Sequence, residues 1–145
     1  MRPVFQTQLS NGNIKGDCWR ACIASLLEVE SADVPHFLEL DSERMMENTQ
    51  EWLRDNYNVG LLTVRLKPFE DTGIVYYGTP GTLCIASIPS PNIAGSHAVI
   101  ARISSSGLSL QFVFDPRKGG KPCANSDMYF LDAHQPESAH FMVKL

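Results

Sequence analysis

Side chains that together support acyl-transfer chemistry occur along this chain in the order cysteine, histidine, aspartate. Cys18 stands at the start of an apolar stretch, His97 opens a later one, and Asp115 follows the next. A histidine oriented by a carboxylate can take the proton of a thiol, and the imidazolium that forms then stabilises the thiolate. We therefore predict Cys18 as a nucleophile, His97 as its base and Asp115 as the group that orients the base.

The segment Gly16–Leu27 is the helix that would position the thiol. Asp17 is a favourable N-cap, because its carboxylate can accept hydrogen bonds from amides of the first turn. Cys18 then takes the first helical position, where the helix dipole and unpaired N–H groups favour a thiolate. Small residues form one side of this helix, which we expect to lie close against a sheet. They are Cys18, Ala21, Cys22 and Ser25.

Two predicted strands, His97–Ile103 and Ser109–Phe114, would bring the histidine and the aspartate together. If Ile103 pairs with Ser109 across the turn, His97 lies directly opposite Asp115, with Cβ atoms roughly 4.5–5.5 Å apart. A slip of one residue would turn Asp115 to the other face, so this inference depends on the turn. We expect the small side of the helix to pack on this same face. The other face would be apolar, with residues 98, 100, 110, 112 and 114.

An oxyanion formed during acyl transfer needs hydrogen-bond donors that are already in place. Gln8, upstream of the cysteine, is our predicted side-chain donor, and Gln6 is the alternative. The backbone N–H of Cys18 is the predicted second donor. Trp19 and Ser96, which neighbour the two central catalytic candidates in sequence, are the predicted substrate contacts.

The remaining patterns predict an α+β fold in which N-terminal helices pack on an antiparallel sheet. A second helix is predicted from Ser42, its cap, to Tyr57, after a short helix or turn at 31–37. Residues 4–9 are predicted as an edge strand or an extended arm, and residues 73–80 as a connection or short strand. Further strands are predicted at Leu61–Leu66, Thr82–Ile88, Met128–Leu131 and His140–Val143.

Composition limits the class of protein. The chain has 145 residues, which we interpret as one domain, and a net charge of −4 without a basic cluster, which argues against nucleic-acid binding. It lacks an apolar run near the roughly 20 residues of a membrane span and an apolar signal segment, so we expect a cytoplasmic protein. The four cysteines include no Cys-x-x-Cys pair. We therefore predict free thiols, with no metal and no cofactor.

The order and context of these residues resemble the papain-like cysteine peptidases. The resemblance is closest to the double-glycine leader peptidases, which process bacteriocins, and to small phage and bacterial relatives. It extends from about Phe5 to Pro116. The matching motifs are Gln8, Gly16-Asp17-Cys18-Trp19-Arg20-Ala21-Cys22, Val34-Pro35-His36-Phe37, Ser96-His97-Ala98-Val99-Ile100 and Phe114-Asp115-Pro116. It implies a papain-like fold with a cleft between helix and sheet, and a thiol peptidase or amidase that works through a Cys18 thioester.

Other interpretations of the same residues stay open at this point. The acyl group could pass to water, as in a peptidase or amidase, or to another amine, as in a transferase. A non-catalytic protein of the same fold could use the cleft to bind a peptide or small ligand, for example as a phage-encoded inhibitor of a host factor. A third hypothesis is a metal site formed by Cys18, His97 and Asp115.

Overall fold

A computed structural model describes residues 1–11, 13–65, 78–90, 94–107, 109–118 and 136–145. Helices come first along the chain and strands afterwards, as predicted. The helices are α1 (Cys18–Leu27), α2 (Phe37–Leu40) and α3 (Met45–Tyr57), with a 3₁₀ turn at Ser31–Asp33. The strands are β1 (Val59–Arg65), β2 (Leu83–Pro89), β3 (Ser96–Ile103), β4 (Leu110–Phe114) and β5 (Ser138–Lys144). The strand predicted at 128–131 and most of segment 73–80 lie outside the described residues.

These five strands form one antiparallel sheet in the order β1-β5-β2-β3-β4. The α+β class with an antiparallel sheet is therefore confirmed. β2 lies in the middle, as its apolar run indicated. Its residues alternate between two apolar clusters, since Ile85 belongs to one and Cys84, Ala86 and Ile88 to the other. A strand buried on both faces needs such a continuous run.

Helix α1 packs on the sheet face that carries Ala98 and Ile100. We expected its small side to pack on the face of Val99, and this expectation is wrong. Val99 belongs to a second cluster on the opposite face, together with Ala101 and Ile103. Since both faces of β3 are apolar and buried, the alternation of residue types could not indicate which face the helix covers.

The register of β3 against β4 also differs from the prediction. Ile103 pairs with Leu110 instead of Ser109, a shift of one residue. A β-bulge then changes the register between Ile100 and Ala101, so that Ala101 pairs with Phe112 but Ile100 pairs with Phe114. A bulge adds one unpaired residue to one strand and so reverses the faces beyond it. The bulge compensates for the shift, and Asp115 again follows the alternation of the His97 face.

The helix boundaries show which residues end and begin each element. Helix α3 begins at Met45, three residues after Ser42, and Ser42 is not its cap. The carboxylate of Asp41 accepts hydrogen bonds from the backbone N–H groups of Glu43 and Arg44, which holds those residues in a turn before the helix. Asn58 ends α3 in the left-handed conformation, with φ of 54°, where the sequence predicted a stop.

The N-terminal residues form an extended arm and not a strand, which decides between the two predicted alternatives. The arm lies along α1: the N–H groups of Arg2 and Val4 donate to Ser25, at its backbone oxygen and its hydroxyl. Further on, the N–H of Gln6 donates to the carbonyl of Pro116 at 2.9 Å. The arm therefore joins the first helix to the segment that follows β4.

Candidate active site

Cys18 is the first residue of α1, as predicted, and its side chain is partly exposed. The other described thiols are buried. Burial raises the pKa of Cys22, with a smaller contribution from the neighbouring Cys18, and burial raises the pKa of Cys84 to about 12. Both are therefore protonated and shielded at neutral pH. Within the described residues, Cys18 is the thiol that a reagent or substrate can reach; Cys123 lies outside them.

Asp17 does not cap α1, in contrast to the prediction. Its backbone is not in the extended conformation of an N-cap, and its carboxylate makes no bond to the first turn. The side chain is 1% exposed and instead accepts from the arm: from the N–H and hydroxyl of Thr7 at 3.0 and 2.7 Å, and from the N–H of Gln8 at 2.9 Å. The carboxylate thus fastens the arm beside Cys18.

This arrangement leaves the first turn of α1 with free amide donors. The first helical hydrogen bond runs from the N–H of Ala21 to the carbonyl of Asp17. In the part of the chain that the structure describes, the N–H of Cys18 has no acceptor. An unpaired N–H beside the thiol is suitable for binding an oxyanion, because the charge would form within its reach.

His97 and Asp115 are in direct contact. The ring Nε2 lies 2.7 Å from Asp115 Oδ1, and both side chains are largely buried. Asp115 Oδ1 also accepts from the backbone N–H of Arg117 at 2.8 Å, which fixes the carboxylate. Since Nε2 faces the carboxylate, Nδ1 is the ring nitrogen left for the thiol. Orientation of His97 by Asp115 was predicted, although through a different strand register.

The environment of His97 favours the imidazolium. Burial acts to lower its pKa, but hydrogen bonds to Asp115 and Cys18 and the negative charge of both partners act in the opposite direction. The net result raises the pKa of His97 to about 9. A protonated ring between a carboxylate and a sulfur is the arrangement of a thiolate–imidazolium pair. The structure therefore brings Cys18, His97 and Asp115 together.

The two glutamines predicted as oxyanion donors both hold the arm in place. Gln8 Nε2 donates to the carbonyl of Lys15 at 2.7 Å, and Gln6 Nε2 donates to the carbonyl of Gln8 at 2.8 Å. Gln6 Oε1 is buried without a hydrogen-bond partner. Each side-chain amide has a second N–H, so both glutamines can still donate one more hydrogen bond. The backbone of Gln6 is tied to Pro116, the neighbour of Asp115, which brings this residue next to the site.

The predicted substrate contacts, Trp19 and Ser96, have different surroundings. Trp19 is 6% exposed; its indole N–H donates to the Thr49 hydroxyl at 3.2 Å, and its ring meets His140 edge-on at 4.9 Å between centroids. It therefore joins α1 to α3 and β5 inside the core. Ser96 is exposed and its hydroxyl donates to Glu137 at 3.0 Å. Contact of either residue with a substrate stays a prediction.

A cavity that the sequence did not indicate lies between α3 and the β1–β5 edge of the sheet. Its volume is about 900 Å³. Its lining includes Met46, Glu47, Gln50, Thr63, Arg65, Glu137, Ser138 and His140. We call it the His140 cavity. The sequence alone gives no signal for a role of His140, because only the strand pairing places it beside Thr63.

His140 is held as a neutral ring. It is 5% exposed, with Nδ1 2.9 Å from the Thr63 hydroxyl and Nε2 3.0 Å from the Ser138 hydroxyl. Burial lowers the pKa of His140 to about 4. His97 and His140 thus differ in charge at neutral pH, because only His97 has an anionic partner.

Two further observations concern metals and membranes. Within the described residues, no three histidine, cysteine or acidic side chains are arranged to hold a metal ion, and this includes Cys18, His97 and Asp115. The metal-site hypothesis therefore gains no support. Among the helices of the described segments, none is long and apolar enough to cross a bilayer.

A scan against protein-family models, a search of curated proteins and a search of solved structures each found no match for this chain. Function is consequently inferred from the site itself.

Proposed function

We propose that this protein is a papain-like cysteine peptidase or amidase, with Cys18 as nucleophile, His97 as base and Asp115 as orienting group. One observation carries the proposal: the accessible thiol at the start of α1 interacts electrostatically with His97, whose Nε2 lies 2.7 Å from Oδ1 of the largely buried Asp115. The α+β architecture, with α1 packed on an antiparallel sheet, supports the papain-like assignment. The cytoplasmic location stays a prediction from the sequence.

The reaction would proceed in two steps. The thiolate of Cys18 attacks the carbonyl carbon of an amide, and the resulting oxyanion is bound by the free backbone N–H of Cys18. The imidazolium of His97 then gives its proton to the leaving amine as the C–N bond breaks, which forms a thioester. In the second step His97 takes a proton from water, the water oxygen attacks the thioester, and the acid and thiol are released.

A side-chain amide would be the second oxyanion donor. We predicted Gln8, but the connections of Gln6 support it at least as well. The backbone N–H of Gln6 donates to the carbonyl of Pro116, which follows Asp115. Its side-chain amide donates to the carbonyl of Gln8, and the same carbonyl accepts the N–H of Asp17, which precedes Cys18. Gln6 is therefore linked to both halves of the site. Comparing kcat in Gln6→Ala and Gln8→Ala decides between them.

Covalent labelling tests the proposal. A peptidyl electrophile is expected to modify Cys18 at neutral pH, as located by mass spectrometry, in a Cys123→Ser background that removes the thiol outside the described residues. Labelling is expected to fall at least about tenfold in His97→Ala, because the base is lost. His36→Ala is the matched control, since the His36 ring contacts the backbone of Glu39 and Lys15 in the turn before α2 and makes no contact with Asp115.

The non-catalytic alternative predicts a different result. If the protein only binds a peptide or small ligand in its cleft, Cys18→Ala retains full biological activity and the electrophile shows no preference for Cys18. Both results together would overturn the assignment as an enzyme.

A further inference from the structure

The His140 cavity is connected to both main residues of the candidate active site. Trp19, which follows Cys18, packs against the ring of His140. The hydroxyl of Ser96, which precedes His97, donates a hydrogen bond to Glu137 on the cavity wall. A molecule that occupies the cavity would therefore contact His140 and Glu137, which in turn touch the direct neighbours of the thiol and of its base.

The strand register gives the distance between the cavity and His97. Arg65 pairs with Ser138, Ser138 pairs with Ser87, and Ser87 pairs with Ala98, the neighbour of His97. With a spacing of about 4.8 Å between strands, Ser138 lies roughly 10 Å and Arg65 roughly 14 Å from Ala98 across the sheet. An extended peptide covers this distance with about three or four residues.

The floor of the cavity always presents a hydroxyl proton. His140 contacts Thr63 through Nδ1 and Ser138 through Nε2. A neutral imidazole donates one hydrogen bond and accepts one, so one hydroxyl donates to the ring and the other keeps its proton for another acceptor. A protonated ring would leave both protons free. In the described part of the chain, neither hydroxyl has any other partner.

Arg65 adds a positive charge beside these hydroxyls. It lies directly opposite Ser138 in the register of β1 and β5, so the two side chains share one face. Its exposed guanidinium has no hydrogen-bond or ion-pair partner within the residues described. The carboxylates of the rim are engaged: Glu47 is paired with Arg44 at 2.9 Å, and Glu137 accepts from Ser96. Among the described residues, none supplies an acceptor for these donors.

We propose that the His140 cavity binds a carboxylate of the substrate, held by the Arg65 guanidinium and a hydroxyl of Ser138 or Thr63. The guanidinium fork matches a carboxylate in shape and charge. The interpretation of the His140 cavity as a substrate subsite rests on the proposed function. The bound carboxylate would lie three or four substrate residues from the bond that Cys18 attacks. A C-terminal carboxylate and an acidic side chain share this chemistry, and the test below separates them.

The test measures peptide binding to the full chain with Cys18→Ala, which prevents turnover. Four acetylated tetrapeptides are compared: three glycines followed by glutamate amide, by glutamine amide, by glycine acid or by glycine amide. Binding is followed by NMR at the His140 ring and the Ser138 amide. We expect at least one carboxylate peptide to bind about tenfold more tightly than its neutral counterpart. The tighter of the two identifies the source of the carboxylate.

Arg65 variants show whether this preference comes from the cavity. Arg65→Gln is expected to abolish the tenfold preference and Arg65→Lys to retain part of it, because lysine keeps the charge without the fork. Lys144→Gln is the matched control, since it removes a cation from the exposed end of β5, outside the cavity lining. Thermal unfolding of each variant verifies that the fold is intact.

Equal affinity for charged and neutral peptides would overturn the carboxylate proposal, and so would a preference that survives Arg65→Gln. Neither result depends on a reactive thiol. An unreactive Cys18 in the native protein would instead overturn the proposed function, while carboxylate binding measured in Cys18→Ala would still stand. The two proposals can therefore fail separately.

Discussion

Asp115 has the most specific role that the site assigns to a single residue. Its carboxylate binds His97 Nε2 and is itself fixed by the N–H of Arg117. This contact orients the ring so that Nδ1 is left for the thiol. The negative charge of Asp115 also helps to hold a proton on the ring up to a pH of about 9. Both effects prepare the ring for the proton transfers of the proposed reaction.

The first prediction concerns Asp115→Asn. The amide oxygen can still accept a hydrogen bond, but the negative charge is lost, so the pKa of His97 is expected to fall below its native value of about 9. NMR titration of the His97 ring measures this shift. The rate of Cys18 alkylation at pH 7 is expected to fall by about a hundredfold. An unchanged titration midpoint of His97 in Asp115→Asn would show that Asp115 does not hold the proton. Asp33→Asn, on an exposed turn, is the control.

At the scale of single residues, the sequence predicted the central trio because cysteine, histidine and aspartate each begin or follow an apolar element. It could not predict the surroundings of the glutamines, because their hydrogen bonds depend on how the arm folds back. The sequence contained no indication that His140 lines a polar cavity, since its two hydroxyl partners, Thr63 and Ser138, are 75 positions apart along the chain. Only the pairing of β1 with β5 brings their hydroxyls to the same ring.

Among the elements, the N-terminal arm depends most on one buried group. The carboxylate of Asp17 accepts hydrogen bonds from the backbone N–H groups of Thr7 and Gln8 and from the hydroxyl of Thr7. Because it turns to the arm, it leaves the first turn of α1 with unpaired amides beside Cys18. An apparent failure to cap the helix therefore provides the donors that an oxyanion requires.

The second prediction is that Asp17→Ala lowers the free energy of unfolding by about 3 kcal/mol, because buried donors of the arm lose their acceptor. Urea unfolding measures the change. Asp33→Ala is the matched control and is expected to stay within about 0.5 kcal/mol of the native protein, since Asp33 is exposed. Equal effects of the two substitutions would contradict the role assigned to Asp17.

Element boundaries and register show where the sequence was informative. Helix α1 was predicted from its apolar run after Gly16, although Asp17 does not cap it, and the end of α3 was predicted correctly at Tyr57. The start of α3 was misplaced, since Asp41 stabilises the preceding turn and Ser42 does not cap. The register of β4 was off by one because a bulge has no sequence signal here, and the same bulge restored the face of Asp115.

For the whole molecule, the two buried histidines should make stability depend on pH in opposite ways. His97 has a folded pKa of about 9, above its unfolded value of 6.5, so the folded state binds more protons between these values. Its contribution is complete below pH 6.5 and is lost as the pH rises to about 9. His140 has a folded pKa of about 4, so its contribution is complete above pH 6.5 and is lost as the pH falls.

The third prediction is therefore a maximum in the unfolding free energy near pH 6.5, with slopes of at most about 1.4 kcal/mol per pH unit for each histidine. Denaturant unfolding from pH 4 to pH 9 measures it. His97→Gln is expected to flatten the decline between pH 6.5 and 9, and His140→Gln the decline between pH 6.5 and 4. A flat profile in the native protein would contradict the charge states assigned to both rings.

The architecture as a whole could be predicted to the level of helices packed on an antiparallel sheet, because the hydrophobic period changes from helical to strand-like after Gly60. The side of the sheet that α1 covers could not. Both faces of β2 and β3 are buried, so alternation no longer separates an inner face from an outer one. The cavity between α3 and the sheet edge follows from that choice of side.

The most direct test of Cys18 as a nucleophile activated by His97 is the rate at which a peptidyl electrophile modifies Cys18 in the native protein and in His97→Ala, measured at pH 7 by mass spectrometry. We expect selective modification of Cys18 that slows at least about tenfold without His97, while His36→Ala reacts like the native protein. Modification of Cys18 at the same rate with and without His97, or none at all, would contradict it.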